Sequence, residues 1–170
     1  REVSVQGRRE VLLGKGKFGI FGDGKVLPQV VMSHFFKDGD YRSGYYRDQT
    51  LLMSQNLLSA REIFAAVYGH PDKLYEKMSG GRQMAGHFLT NTIDENNNWI
   101  DQTSQKNHIS VISPTASQMS RLVGLGLASK IYRNNSISGS EKFSKNGNEV
   151  VWGAIGNAST CLLYTSPSPR

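Results

Sequence analysis

Three short segments stand in fixed order along the chain. They read Gly-Tyr-Tyr-Arg-Asp-Gln-Thr at 44–50, Gly-Arg-Gln-Met-Ala-Gly-His at 81–87 and Ile-Ser-Pro-Thr-Ala-Ser-Gln at 112–118. Each is loop-like and enters or precedes a helical pattern. Each also carries groups suited to a phosphorylated ligand: a guanidinium that pairs two phosphate oxygens at once, hydroxyls, and the free N–H groups of a helix start. A chain built this way places its chemistry on loops and needs a rigid scaffold to hold them. The pattern along the chain predicts that scaffold to be α/β.

The last ten residues, Cys161-Leu-Leu-Tyr-Thr-Ser-Pro-Ser-Pro-Arg170, resemble the translation of a transposase adapter used in sequencing libraries. We therefore expect residues 161–170 to be a non-native tail and leave them out of the fold argument. The single cysteine lies in that tail. Residues 1–160 then hold no thiol for a disulfide, a zinc site or a nucleophile. We read residues 1–160 as the N-terminal part of one domain of a longer protein.

A chain of 170 residues suits one ordinary domain. No apolar run approaches the roughly 20 residues of a membrane span. The formal net charge is +6, but the basic residues are scattered: Arg8, Arg9, Lys15, Lys17, Lys37, Arg61, Arg121, Lys130. A nucleic-acid footprint needs clustering on one face, so neither nucleic acid nor membrane is expected as a partner.

Glu10–Leu13 and Lys17–Phe21 read as short strands, followed by a tight turn at Gly22-Asp23-Gly24. Pro28 fits a first helical turn, with Val30, Val31, Met32, Phe35 and Phe36 continuing a short helix that Gly39 punctuates. The residues from Asp48 to Tyr68 predict one long helix, with Leu51, Leu52, Leu58, Ile63, Phe64 and Val67 apolar, stopped at Gly69. From Asp72 to Gln105 the chain is polar and loop-like. Ser113 suits an N-cap and Pro114 the first helical position, predicting a helix to about Arg133. Gly124, Gly126 and Ala128 lower its propensity, which suggests close packing of another backbone on that face. Asn134–Asn148 is a polar connection, and Val150–Ile155 a strand ending at Gly156. Helices alternating with strands predict an open, mostly parallel sheet with flanking helices.

Two glycine patterns carry less than they suggest. Gly14-Lys-Gly16-Lys-Phe-Gly19 matches G-x-G-x-x-G, but a dinucleotide site needs a helix starting at the glycines. A kinase would need further motifs that are missing. Gly19–Lys25 nearly matches a phosphate loop, but Val26 follows where a hydroxyl should ligate magnesium. Both read better as glycine-rich turns. His34, His70 and His108 match no motif and read as surface or packing residues. No metal-ligand spacing such as H-E-x-x-H occurs.

The ordered trio resembles the alpha component of thiamine-diphosphate-dependent 2-oxoacid dehydrogenases, most closely the branched-chain members. The resemblance spans roughly residues 10–160. It implies a partial, incomplete thiamine-diphosphate-binding fold. It implies that Tyr46 and Arg47 bind the cofactor's diphosphate, with Tyr45 adjacent. It implies that His87 faces the cofactor and substrate channel, where an imidazole suits proton shuttling; the same residue type is often structural. Ser113 and Thr115 match cofactor contacts, and Thr115 replaces the usual apolar residue. Pro114, Ser117 and Gln118 match a loop that holds a monovalent cation, potassium, in branched-chain members. Gly156-Asn157-Ala158-Ser159 aligns with the glycine-acid-glycine opening of the cofactor motif. Asn157 stands where an acid ligates magnesium, and Ala158 where a second glycine stands. An amide oxygen can ligate magnesium without a carboxylate's charge.

The implied activity is oxidative decarboxylation of a branched-chain 2-oxoacid with acyl transfer to a lipoyl group. The implied cofactors are thiamine diphosphate and magnesium, with potassium as a third ion. The implied partners are a beta component, fused or separate, and a lipoyl acyltransferase, within a hetero- or homo-oligomer. The compartment is cytoplasmic for a bacterial source and the mitochondrial matrix for a eukaryotic one. A pyruvate or acetoin dehydrogenase would share nearly every motif, and a non-catalytic polyanion-binding module is the reading from another class. Re-reading the DNA of the intact locus past the Thr160 codon tests the tail. A continuation of Ser-Glu-Gly type is expected, whereas a genuine Cys-Leu-Leu-Tyr continuation breaks the cofactor motif.

Overall fold

Glu10 decides the first element, and it decides against a strand. The computed structural model describes residues 1–83, 86–111, 113–156, 158 and 159. With elements numbered in chain order, the first is a helix, α1 (Glu2–Leu12), whose buried positions are Ser4, Gly7 and Glu10. Gly7 lies against the ring of Phe21, and a Cβ there would overlap it. The Glu10 carboxylate accepts from Gln6 Nε2 at 2.7 Å and Tyr68 Oη at 3.0 Å, with Lys15 Nζ at 3.4 Å. The expected strand over Glu10–Leu13 is therefore overturned: the buried face is polar and small, so no apolar period announces the helix. Lys17–Phe21 is likewise irregular and not a strand. The tight turn at 22–24 is present, with Lys25 N donating to Gly22 O at 3.0 Å and Gly24 at φ +83°.

α1 belongs to a first unit, Arg1–Phe35 with Tyr46–Phe88. The other helices there are α2 (Val26–Phe35), α3 (Gln49–Ser54) and α4 (Ala60–Tyr68). The single helix expected over 48–68 is thus two. Asn56 takes φ +57°, and Leu57 N bonds back to Leu52 O at 2.9 Å. A capping box then restarts the helix: Glu62 N donates to Ser59 Oγ at 3.2 Å, and Ser59 N to Glu62 Oε2 at 2.8 Å. Gly69 ends α4 in the left-handed conformation at φ +64°, as the sequence suggested. Leu52, Leu58 and Ile63 form the unit's apolar centre, with Met78 and Phe88 packed against it.

The second unit comprises Phe36–Tyr45 with Leu89–Arg170. It holds β1 (Tyr41–Ser43), β2 (Asn107–Ile109), α5 (Ser117–Asn134) and β3 (Val151–Gly153). The three strands form one sheet in the order β2-β1-β3, and both pairings are parallel. Arg42 faces His108 on one side and Trp152 on the other in register. The chain is therefore mixed α/β with a small, open, all-parallel sheet and flanking helices. α5 packs on β1 and β3. Among the described residues, no helix is long and apolar enough to cross a membrane.

Among the described residues, the close packing expected around Gly124 and Gly126 is not found: a Cβ at either would meet nothing within 4 Å. The close approach is on the strand side instead. A Cβ at Gly153 would overlap Leu122 of α5, so it is the strand that gives way to the helix.

Asp40 ties the sheet together just before β1. Its carboxylate accepts from Lys37 N at 3.0 Å, Val150 N at 2.8 Å and Trp152 Nε1 at 3.0 Å. Asp40→Ala leaves three donors without their acceptor and is expected to destabilise this unit by about 3 kcal/mol. Both tryptophans, Trp99 and Trp152, lie in this unit, so urea unfolding followed by tryptophan fluorescence reads it directly. A midpoint equal to that of the wild type would contradict the assignment.

Candidate functional site

The loops beyond the carboxyl ends of β1 and β3 meet inside the second unit, and Arg42 sets their geometry. Arg42 is 0% exposed. It donates from Nη1 to His108 Nδ1 at 3.1 Å and from Nη2 to the Tyr45 carbonyl at 3.3 Å. A Cβ at Gly44 would overlap the Arg42 guanidinium, so only glycine lets the backbone cross there. Tyr45 is thereby held, buried, at the start of the first motif. A Cβ on Gly156 would lie 3.0 Å from Tyr45 Oη and 3.4 Å from Ser159 Oγ. Ser159 is 0% exposed, and its hydroxyl has no hydrogen-bond partner among the described residues. Ser43 at the end of β1 is in the same condition. Tyr45 is thus a neighbour of Gly156 and Ser159, which lie more than a hundred residues further along the chain. Ala158 is exposed beside them, and Asn157 lies outside the described residues.

The 112–118 segment departs from expectation. α5 begins at Ser117, and its N-cap is Ala116 in the left-handed conformation at φ +68°, with no side-chain cap. Ser113 is therefore not the N-cap and Pro114 is not the first helical residue. Ser113, Pro114 and Thr115 form an exposed turn ahead of the helix. The cause is local: Ala116 leaves the helical basin, and Ser117 bonds back to Pro114 from both N (3.2 Å) and Oγ (2.6 Å). The Pro114 carbonyl and the Ser117 hydroxyl, two of the oxygens matched to a monovalent cation, are therefore adjacent. Gln118 is buried and donates from Nε2 to Ala154 O at 2.9 Å, which joins this turn to the segment after β3.

Tyr46, Arg47 and His87 belong to the first unit. Tyr46, Arg47 and Asp48 form the turn into α3. Two glutamines clamp this turn. Gln29 donates to Arg47 O at 3.0 Å and accepts from Leu51 N at 3.1 Å. Gln49 accepts from Gly22 N at 3.1 Å and donates to Ile20 O at 2.8 Å. A Cβ at Gly22 would sit 2.6 Å from Arg47 O, so glycine is needed for this approach. Arg47 Nε is buried without a hydrogen-bond partner among the described residues. His87 is half-buried.

Sequence reasoning passed over Arg42, Ser43 and Gln29. Arg42 and Ser43 immediately precede the Gly-Tyr-Tyr-Arg segment, and that adjacency was the available signal. His108 is a packing residue, stacked on Phe36 with ring centroids 5.2 Å apart. Burial, then the nearby Arg42 and Lys106 charges, push its pKa down to about 3. Because Arg can only donate, His108 accepts at Nδ1 and carries its proton on Nε2.

Comparison with protein-family models, with curated proteins and with solved structures gives no match.

The depressed His108 value fixes a pH dependence. The unfolded chain takes up a proton near the ordinary value of 6.5, whereas the folded unit does not until about 3. Stability therefore falls as pH drops below 6.5, by up to about 1.4 kcal/mol per pH unit. Tryptophan-detected urea unfolding between pH 6.5 and 5 reads this slope above the carboxylate range. His108→Asn keeps an acceptor for Arg42 but has no proton to take up, and it is expected to flatten the slope. An unchanged slope in that variant would assign it elsewhere.

Proposed function

We propose that the intact protein is the decarboxylating component of a 2-oxoacid dehydrogenase complex, acting on a branched-chain 2-oxoacid with acyl transfer to a lipoyl group. The observation that carries the reading is the meeting of Tyr45, Gly156 and the unpaired Ser159 hydroxyl beyond the carboxyl ends of parallel strands. That is where open α/β sheets bind ligands. The three residues come from two segments that the family resemblance assigns to the same cofactor.

The residues present fit a diphosphate. Ser159 offers a buried hydroxyl without a partner, and Gly156 keeps the floor of the site free of a side chain. Tyr45 adds a phenol, and the chain runs directly on to Tyr46 and Arg47, whose guanidinium suits phosphate oxygens. Ser113 and Thr115, exposed ahead of α5, offer hydroxyls. Pro114, Ser117 and Gln118 supply carbonyl, hydroxyl and amide oxygens suited to potassium. Asn157 is assigned to magnesium. Thiamine diphosphate, when bound, supplies the electron sink for decarboxylation, while the protein supplies binding and orientation. His87 is assigned to proton transfer beside the substrate.

A micromolar site needs about 8 kcal/mol. One Arg–phosphate contact contributes about 1.5–3 kcal/mol, and association entropy offsets several kcal/mol. Calorimetric titration of thiamine diphosphate and magnesium into this 170-residue chain is accordingly expected to give no isotherm. In the intact enzyme with its beta component, Arg47→Ala is expected to weaken cofactor binding by roughly tenfold to a hundredfold. Cofactor affinity unchanged by Arg47→Ala, or no decarboxylation of any 2-oxoacid by the intact enzyme, would overturn the reading.

A further inference from the structure

A carboxylate that no motif pointed to holds the turn that leads into Gly81. Glu76 is 0% exposed. Its Oε1 accepts from Met78 N at 3.0 Å. Its Oε2 accepts from Ser79 N at 2.7 Å, Ser79 Oγ at 2.8 Å and Gly81 N at 2.9 Å. Four donors around one carboxylate form a turn whose centre is an internal anion. Burial pushes the Glu76 carboxyl up, and the donors from Gly81, Ser79 and Met78 pull it below its ordinary value.

Both arms of the His87 segment lead back to this turn. On one side, Ser79 Oγ accepts from Gln83 N at 3.0 Å while donating to Glu76, so the carboxylate's hold extends past Arg82. Gly81 takes φ +75°, and a Cβ there would lie 2.5 Å from Gly69 O, so the turn is also seated on the end of α4. On the other side, a Cβ at Gly86 would lie 3.2 Å from Met78 Sδ. The residue whose N–H is held by Glu76 therefore packs its side chain against the neighbour of His87. Phe88, on the other flank of His87, packs on the apolar centre with Met78.

The platform is fixed from outside as well. Arg61 lies over the Tyr75 ring at 4.3 Å, and Lys77 pairs with Glu62 at 2.9 Å. Glu76 stands between these two contacts in sequence, with its side chain turned inward. Its bonds go to backbone and to one serine of the turn, with no cation in the set. A buried charge spent on backbone donors stabilises one particular loop conformation, because any other conformation leaves the charge or the donors unsatisfied.

We propose that Glu76 is the positioning residue for His87: its carboxylate fixes the 78–81 turn and, through Ser79 and Met78, the two arms that present the imidazole. The catalytic half of this proposal rests on the reading of 81–87 as an active-site segment.

The test uses Glu76→Leu, which fills the space without an acceptor, and Glu76→Gln, which keeps one oxygen for the Oε2 donors. Amide exchange at Ser79, Gly81 and Gln83, and tryptic cleavage after Arg82, are read on this chain, with the α4 amides as the fold control. Glu76→Leu is expected to speed both by roughly tenfold to a hundredfold, leaving α4 protected, and Glu76→Gln to restore most of the protection. In the intact enzyme, Glu76→Leu is expected to lower kcat at saturating cofactor, with Glu76→Gln again recovering it. Unchanged exchange and cleavage overturn the proposal. So does a uniform loss of protection that includes α4, which would make Glu76 a general stabiliser. A loosened turn with an unchanged kcat overturns its positioning role. If the intact wild-type enzyme decarboxylates nothing, the functional reading falls while the exchange result still decides whether Glu76 holds the loop.

Discussion

One carboxylate, that of Asp40, holds the small sheet in register. Parallel strands cannot be joined by a tight turn, so strands only three residues long need something other than their own ladders to bring them together. Asp40 supplies it. It receives a backbone donor from its own loop and a backbone and an indole donor from the strand on one side. Asn107 does the same on the other side, donating from Nδ2 to the carbonyls of Asp40, Gln102 and Gln105. Once these residues are fixed, Arg42, His108 and Trp152 line up across the sheet. Phe36 packs on both His108 and Trp152, and Gly44 can pass over the Arg42 guanidinium.

The same strategy recurs in the first unit. Its turns are held by side chains that bond to backbone: Gln29 and Gln49 around the Arg47 turn, and Glu76 at the 78–81 turn. Each satisfies backbone groups that a loop would otherwise bury without partners. The Arg47 turn is therefore held by side chains although it belongs to no strand. Loops that carry function are usually mobile relative to their scaffold. Here two of the polar anchors, Gln29 and Glu76, are themselves buried, which makes them as consequential as the groups they present.

The candidate site was partly legible in the sequence. Tyr45, Gly156 and Ser159 were chosen from motif and order, and the fold makes them neighbours. The turn at 22–24, the stop at Gly69 and the strand after Val150 followed from local chemistry, since glycine at positive φ and a tight turn need no tertiary help. The misread elements share a cause. α1 buries serine, glycine and glutamate, β1 reads Tyr-Arg-Ser, and β2 reads Asn-His-Ile. None shows an apolar period, because their burial is stabilised by hydrogen bonds to distant residues. The break at 55–59 was legible after all: Ser59 and Glu62 have capping-box spacing, but the apolar positions on either side happened to keep helical phase.

The sequence by itself determined the local punctuation: where glycines turn the chain, where a cap starts α4, and which loops carry hydroxyls, a guanidinium and an imidazole. Those properties depend on residues within a few positions of one another. Only the tertiary structure decided that Tyr-Arg-Ser is the central strand of a parallel sheet, that α5 starts three residues beyond Pro114, and that Gly153 yields space to Leu122. It also decided that Glu76, anonymous in the sequence, anchors the 78–81 turn. Each of these is set by partners far along the chain or by the burial of a charge, and no local pattern encodes either.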